Sequence, residues 1–157
     1  MSLIIRDAAA VDLDSLVALN GEVQGVHISL FTQVFHETDK AALRTWFADQ
    51  IADPATTVLV GTEKEQVVAY LILRIVLREP HLFCYSRNCV YVDHICVASE
   101  FRRHGAAKAL LEEVSQRAKL EGISRIELDV WSDNKAAKTA FEALGFKTFN
   151  EKMYLEQ

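Results

Sequence analysis

Residues 67–77 are apolar at every position except Arg74 and rich in Val, Ile and Leu. Such a run is too dense in β-branched residues for a helix to be the better reading, and too continuous for a strand with one wet face. It predicts a long strand covered on both sides. A sheet with that strand inside needs another layer packed on each face. The remaining composition adds little beyond limits. With 157 residues, 50% hydrophobic and 25% charged, and no internal repeat or Pro/Gly/Ser-rich linker, the chain is expected to form one domain over residues 1–157. The longest clean apolar stretch ends at Arg74, so no segment is expected to span a bilayer. The start of the chain has neither a basic n-region nor a long apolar core, so no secretory signal is expected. A net charge of -5 without a Lys/Arg run argues against a nucleic-acid partner. Cys84, Cys89 and Cys96 are odd in number and form no CxxC, as expected of reduced thiols in the cytoplasm.

Periodicity orders the elements. Leu3-Ile4-Ile5-Arg6 reads as a first strand. Asp12 or Asp14 is placed to cap a helix carrying Leu13, Leu16, Val17 and Val23, and residues 24–38 read as an irregular or partly helical loop. Asp39 is the expected N-cap of a helix burying Leu43, Trp46, Phe47 and Ile51, stopped by Pro54. Residues 56–62, 67–77 and 89–97 read as three strands, the first two joined by the polar turn at 63–65 and the last two by a loop around Pro80. Ala107, Leu110, Leu111, Val114 and Ala118 then share a helix face closed by Gly122. Ile126, Leu128 and Val130 alternate as a strand, and Ala137, Ala140, Phe141 and Leu144 form a helix face ended by Gly145. A last strand is expected over about residues 146–155. The fold class is α/β (α+β): a mixed, largely antiparallel central sheet flanked by helices on both faces.

Ile95-Cys96-Val97-Ala98-Ser99-Glu100-Phe101-Arg102-Arg103-His104-Gly105-Ala106-Ala107 carries the chemistry. A strand ends, a short polar turn follows, and a helix starts at Gly105 or Ala106. The unbonded N–H groups and dipole of a helix start favour an anion, small residues let it approach, and Arg102 and Arg103 add donors suited to phosphate. An ordinary strand-to-helix turn with a surface Arg pair is the alternative. No GxxxxGK[ST] string occurs and no two glycines are spaced GxG, so neither a P-loop nor a dinucleotide fingerprint is present.

Arg102-Arg103-His104-Gly105-Ala106-Ala107 resembles the R/Q-x-x-G-x-G/A signature of GNAT superfamily N-acetyltransferases. Tyr91-Val92-Asp93-His94-Ile95-Cys96-Val97 is similar to their fourth strand. Asn134, Ala137 and Phe141-Glu142-Ala143-Leu144-Gly145-Phe146 resemble their N-x-x-A…F-Y-E-x-L-G-F block, and Ile5-Arg6-Asp7-Ala8 with Asp12-Leu13 fits the usual opening. The resemblance implies acetyl-CoA as cosubstrate, without a metal, and direct attack by a primary amine. It places the pyrophosphate on the N–H groups of Arg103, His104, Gly105, Ala106, Ala107 and Lys108, with Arg102 flanking. It places the thioester carbonyl on main-chain N–H near Ile95, Cys96 and Val97, where the family's strand bulges; a preorganised donor to an oxyanion is worth roughly 3–4 kcal/mol. Asn134 and Ala137 would line the pantetheine arm, and the Phe141 ring would pack against it or, as the preferred reading, fill the core. Asp93 matches the position of a Glu in some polyamine- and drug-acetylating relatives and is the implied base, with an ordinary strand ion pair as the other reading. His94, expected on the opposite face of a regular strand, is an alternative base, with a structural role as the preferred reading.

One departure stands out. The family often carries a Tyr acid where this chain has Phe141, so Tyr154, Tyr91 or Cys96 would have to substitute, or solvent would. An acyl-CoA-binding sensor with little turnover is therefore the second functional reading. A domain built purely for interaction is a third. His81, Cys84, Cys89 and His94 have a zinc-like spacing, but Cys89 and His94 lie an odd number apart on one strand and are expected on opposite faces, so no metal site is assigned. The acceptor region would include His27, Phe31, Phe35, His36, Glu79, His81 and Tyr85, a mix compatible with a small cationic amine. A homodimer is implied by family habit alone.

Overall fold

The computed structural model describes residues 3–157. Along the chain lie β1 (Ile4–Asp7), α1 (Leu13–Leu30), α2 (Lys40–Ala52), β2 (Thr56–Glu63), β3 (Gln66–Val76), β4 (Cys89–Val97), α3 (Ala106–Leu120), β5 (Ile126–Leu128) and α4 (Lys135–Ala143). The strands form one sheet in the order β1-β2-β3-β4-β5. The first three pairings are antiparallel, and β4 and β5 run parallel, joined by the α3 crossover. This is the mixed, largely antiparallel sheet with covered faces that the run at 67–77 demands.

Strand periodicity divides the core in two. Ala69, Leu71 and Leu73 of β3 join Leu59, Val90 and Val92 beneath Leu110, Leu111 and Val114 of α3. Tyr70 and Ile72 face the other way, against Leu13, Leu16 and Leu19 of α1 and Phe47 of α2. The buried Tyr70 hydroxyl accepts a hydrogen bond from Asn20 Nδ2 at 3.0 Å, so this polar tip sits in the second core without an unmet partner. Lys64 and Glu65 both take positive φ, 46° and 68°, which matches the twist of the tight hairpin between β2 and β3.

Several local expectations need correction. Residues 24–38 divide in two: residues 31–38 form turn and loop, while α1 continues to Leu30, its last turn closed by Phe31 N–H on His27 O at 2.8 Å. Its Gly21 and Gly25 weaken an isolated helix, but packing of the Leu13, Leu16 and Leu19 face on the sheet outweighs that cost. Asp12 occupies the cap position of α1 without capping it. Its carboxylate instead takes the two terminal guanidinium nitrogens of Arg6 at 2.7 and 2.8 Å and the Ala9 N–H at 2.8 Å, and the Arg6 bonds hold its pKa below the usual carboxylate range. Asp39 does cap α2, accepting from Ala42 N–H at 2.8 Å.

The strand around Ile126 has three residues and excludes Val130. The final strand over 146–155 does not form: past Phe146 the described chain joins no ladder, and Phe149, Met153, Tyr154 and Leu155 are exposed. A strand is held by its neighbours, and β5 offers an edge only three residues long. α4 is correspondingly peripheral, with no buried residue; Phe141 is half-buried against Phe146, ring centroids 5.7 Å apart.

Candidate active site

α3 begins without any internal cap. Gly105 precedes it at φ 88°, ψ 2°, a left-handed conformation that L side chains rarely adopt, and it carries no side chain to accept a hydrogen bond. A Cβ built there would meet nothing within 4 Å. The first helical bond runs from Ala109 N–H to Gly105 O at 2.9 Å, and among the described residues no acceptor takes the N–H groups of residues 103–108. Arg103 also has positive φ, 64°, so the turn curls the main chain into a shallow nest. Arg102 is fixed beside it: Nε donates to Val97 O at 3.0 Å, and Nη2 lies 3.7 Å from Glu22, whose carboxylate also accepts the Ser99 N–H. The geometry fits an anionic ligand. These residues would hold the diphosphate of acetyl-CoA, whose thioester is the acyl donor.

The same turn lies beside a gap in the sheet. β5 pairs with β4 only from Val90 to Val92, so the β4 edge beyond Val92 has no strand beside it. The register with β3 shifts there as well: Leu73 opposes Val92 and Ile72 opposes His94, which leaves Asp93 as an extra, bulged residue. The bulge resets the phase of β4. Ala98 N–H bonds Val68 O at 2.9 Å, so Ala98, Cys96 and His94 turn their main-chain groups toward β3. Ile95 and Val97 therefore turn theirs into the gap, and Val97 O is the group that Arg102 occupies. Of the three residues expected to greet a thioester carbonyl, Ile95 and Val97 present an N–H to the gap, whereas the Cys96 N–H is spent on the ladder.

The bulge also corrects the alternation expected for β4. Val92 and Ile95 both pack in the core under α3, so the bulged pair between them, Asp93 and His94, shares the opposite, α1/α2 face. Asp93 is an ion pair: both of its oxygens accept from Arg74 Nε, at 3.1 and 2.9 Å. That guanidinium lies 5.3 Å from the centre of the Tyr91 ring, and the Tyr91 hydroxyl donates to Asp129 at 2.7 Å. Burial, then the bond to Asp129, push the Tyr91 pKa up. His94 is half-buried, 5.3 Å from the Trp46 ring and 6.5 Å from Tyr70, and burial lowers its pKa. The odd spacing of Cys89 and His94 therefore no longer separates their faces. Distance does: five residues of strand span roughly 15 Å.

Above this face sits an aromatic cluster. His27 stacks on Phe35 at 4.9 Å, while Phe31 and Phe35 lie 4.9 and 5.0 Å from Trp131, which follows β5. The rings thus tie the end of α1 to the far side of the gap. Three of them were expected near an acceptor; Trp131, Trp46 and Asp129 were missed. A large aromatic immediately after an alternating strand was the available signal for Trp131.

Other candidates are placed less centrally. Asn134 caps α4, its Oδ1 accepting the Ala137 N–H at 3.1 Å, so both residues serve the start of that helix. Lys108 lies 3.7 Å from Glu112 one turn along α3, and His104 is exposed. Tyr154 is exposed in the tail. The Cys96 thiol is buried on the α1 side, donates to Leu19 O at 3.2 Å, and burial pushes its pKa up to about 12. It is poorly placed to protonate a leaving group in the gap.

A short parallel pair beside an uncapped helix start defines a site open to an anionic ligand. The chain belongs to the acetyltransferase (GNAT) family, matching it over residues 23–146. It is 31% identical over 85 residues to the [ribosomal protein bS18]-alanine N-acetyltransferase of Escherichia coli K12, covering 54% of this chain and 51% of that one. The chain thus spans about half the length of the curated relatives it matches. Its fold is similar to a tetramutant of the BH1408 protein from Bacillus halodurans, with TM-score 0.92 and 26% identity over 98% of this chain and 99% of that one. It also shares its fold with aminoglycoside N-acetyltransferase AAC(6')-Iy in complex with CoA, with TM-score 0.75 and 17% identity over 99% and 95% of the two chains.

Proposed function

We propose that the chain is an acetyl-CoA-dependent N-acetyltransferase, a single domain over residues 1–157 that transfers acetyl to the primary amine of a small molecule. The observation that carries this reading is the uncapped start of α3 beside the unpaired edge of β4. The N–H groups of residues 103–108 receive the diphosphate, Arg102 flanks it, and the pantetheine arm runs along Asn134, Ala137 and Phe141 toward the gap. There the N–H of Ile95 or Val97 donates to the thioester oxygen and stabilises the charge that grows on it as the amine attacks. The nitrogen lone pair forms the new C–N bond, the C–S bond breaks, and the thiolate leaves carrying the sulfur's electrons. The ammonium form of the amine supplies two protons: one must leave before attack, and the second can neutralise the thiolate, so Phe141 at the family's Tyr position does not forbid turnover.

The acceptor enters from the α1/α2 face, where Asp93, Asp129 and the aromatic cluster of His27, Phe31, Phe35 and Trp131 offer carboxylates and flat apolar surface for a cationic amine. Three cysteines without a CxxC support a cytoplasmic setting, and no helix of the described residues is long and apolar enough to cross a membrane. The test is to measure the melting temperature with millimolar acetyl-CoA and thiol release across polyamines, aminoglycosides, amino acids and peptides. Stabilisation by acetyl-CoA with thiol release for at least one amine is expected. Absence of stabilisation contradicts the reading. Tight binding without turnover of any amine favours the sensor function, for which the Phe141–Phe146 packing in place of an acid is the supporting observation.

A further inference from the structure

Given acetyl transfer, something must take the first proton from the acceptor's ammonium. Asp93, the carboxylate nearest the gap on β4, has both oxygens committed to Arg74. Its neighbour is not so engaged. The bulge at Asp93 turns His94 onto the α1/α2 face, opposite the face that α3 covers. The acyl donor reaches the gap from the α3 start, so the acceptor must approach from the face that His94 occupies. His94 also immediately precedes Ile95, whose N–H points into the gap. Its ring is held between Trp46 of α2 and Tyr70 of β3, at 5.3 and 6.5 Å, by contacts that orient it without using its nitrogens. No fully buried side-chain nitrogen or oxygen lacks a partner among the described residues, and no hydrogen bond to the imidazole is present there. Its nitrogens are therefore not fully sealed from solvent.

We propose that His94 is the general base of the reaction, its imidazole accepting a proton from the acceptor's ammonium as the free amine is delivered to the thioester beside Ile95. The assignment rests on the acetyltransferase reading above. Burial keeps the ring neutral near pH 7, the state a base needs. The groups whose charge reaches it are Asp93 on its own strand, paired with Arg74 of β3, and His27 from α1; Tyr70 from β3 adds a hydroxyl and α2 adds the Trp46 ring. The bonds balance simply. The N–H bond of the ammonium breaks and its proton joins an imidazole nitrogen, the freed lone pair forms C–N, and C–S breaks. The second amine proton goes to the thiolate, and the imidazolium returns its proton to water.

The experiment compares two probe amines with acetyl-CoA: spermidine, an ammonium at neutral pH, and hydroxylamine, which is already a free base there. The variant His94→Ala is expected to lose about 100-fold in thiol release with spermidine, the lower end of the range for a lost base. With hydroxylamine, counting only thiol release above a protein-free blank because free hydroxylamine also cleaves thioesters unaided, it should stay within about twofold of the unaltered chain, because no proton has to be removed first. Acetyl-CoA should stabilise both proteins equally, which shows that the variant is folded and its donor site intact. An equal loss with both amines makes His94 structural and overturns the assignment, and so does no loss with either. If acetyl-CoA stabilises the unaltered chain but neither amine turns over, the base assignment falls while acetyl-CoA binding stands. If acetyl-CoA fails to stabilise the unaltered chain, the acetyltransferase reading itself falls.

Discussion

Three helices of this chain face the same problem at their starts and answer it differently. Each leaves main-chain N–H groups without helical partners. α2 meets the need with the Asp39 carboxylate on Ala42 N–H, and α4 with the Asn134 amide oxygen on Ala137 N–H. α3 has Gly105, no side-chain acceptor, a left-handed turn and open space above it. The two capped starts are complete within the fold. α1 also lacks a side-chain cap, but the 3-10 turn Ala10–Asp12 runs straight into it and Ala10 O accepts the Leu13 N–H. The α3 start lies beside two arginines and a gap in the sheet, so its donors remain available to a ligand. A helix start reads as functional here by what the chain withholds from it.

The comparison can be broken most severely by giving α3 an anion of its own. Gly105→Asp places a carboxylate at that start, and Asp is among the residues that tolerate a left-handed backbone. Acetyl-CoA affinity measured by calorimetry should fall about 100-fold, the equivalent of about 2.7 kcal/mol, while the chain stays folded. Unchanged affinity would remove the diphosphate from α3. Arg102→Ala should be milder, about tenfold weaker binding, because one flanking guanidinium is lost and the N–H nest remains. The reverse dissociation is expected at α2: Asp39→Ala should cost about 1 kcal/mol in urea unfolding and leave acetyl-CoA affinity unaltered. A binding loss there would mean that the helix starts do not divide into structural and ligand-directed kinds.

The smallest effect concerns the acceptor side. Burial lowers the pKa of both His27 and His94 from the ordinary value near 6.5. Between folded and unfolded values the unfolded chain then binds more protons, so stability rises with pH in that window. Urea unfolding should show a modest loss of stability as pH falls from about 7.5 to about 5.5, and the double variant His27→Gln with His94→Gln should flatten the slope. A slope of opposite sign would place both imidazoles in stabilising ion pairs.

Much of this architecture was legible in residue order. The β-branched run at 67–77 and the alternations on either side demand a covered sheet, because side-chain period in a strand is a local property. The α3 start was legible for the same reason: Gly105 and its neighbours act through their own main chain. The bulge was not. Whether Asp93 and His94 share a face depends on how β4 meets β3, and the extra residue becomes visible only when Leu73 and Ile72 pair around it. An ion pair was one of the two readings of Asp93, but its partner was hidden, since Arg74 lies on another strand. The missing strand after Phe146 shows the converse error. Apolar residues such as Met153 and Leu155 suit a strand, but pairing requires an edge to extend, and β5 supplies three residues.

The most direct measurement follows the main-chain amides themselves. In a proton–nitrogen correlation spectrum titrated with CoA, the amides of residues 103–108 are expected to shift most, with Ile95 and Val97 following when acetyl-CoA replaces CoA. The Ala42 and Ala137 amides, held by their caps, should barely move. Saturable shifts centred elsewhere, with residues 103–108 unmoved, would contradict the central claim that the uncapped start of α3 is the diphosphate site.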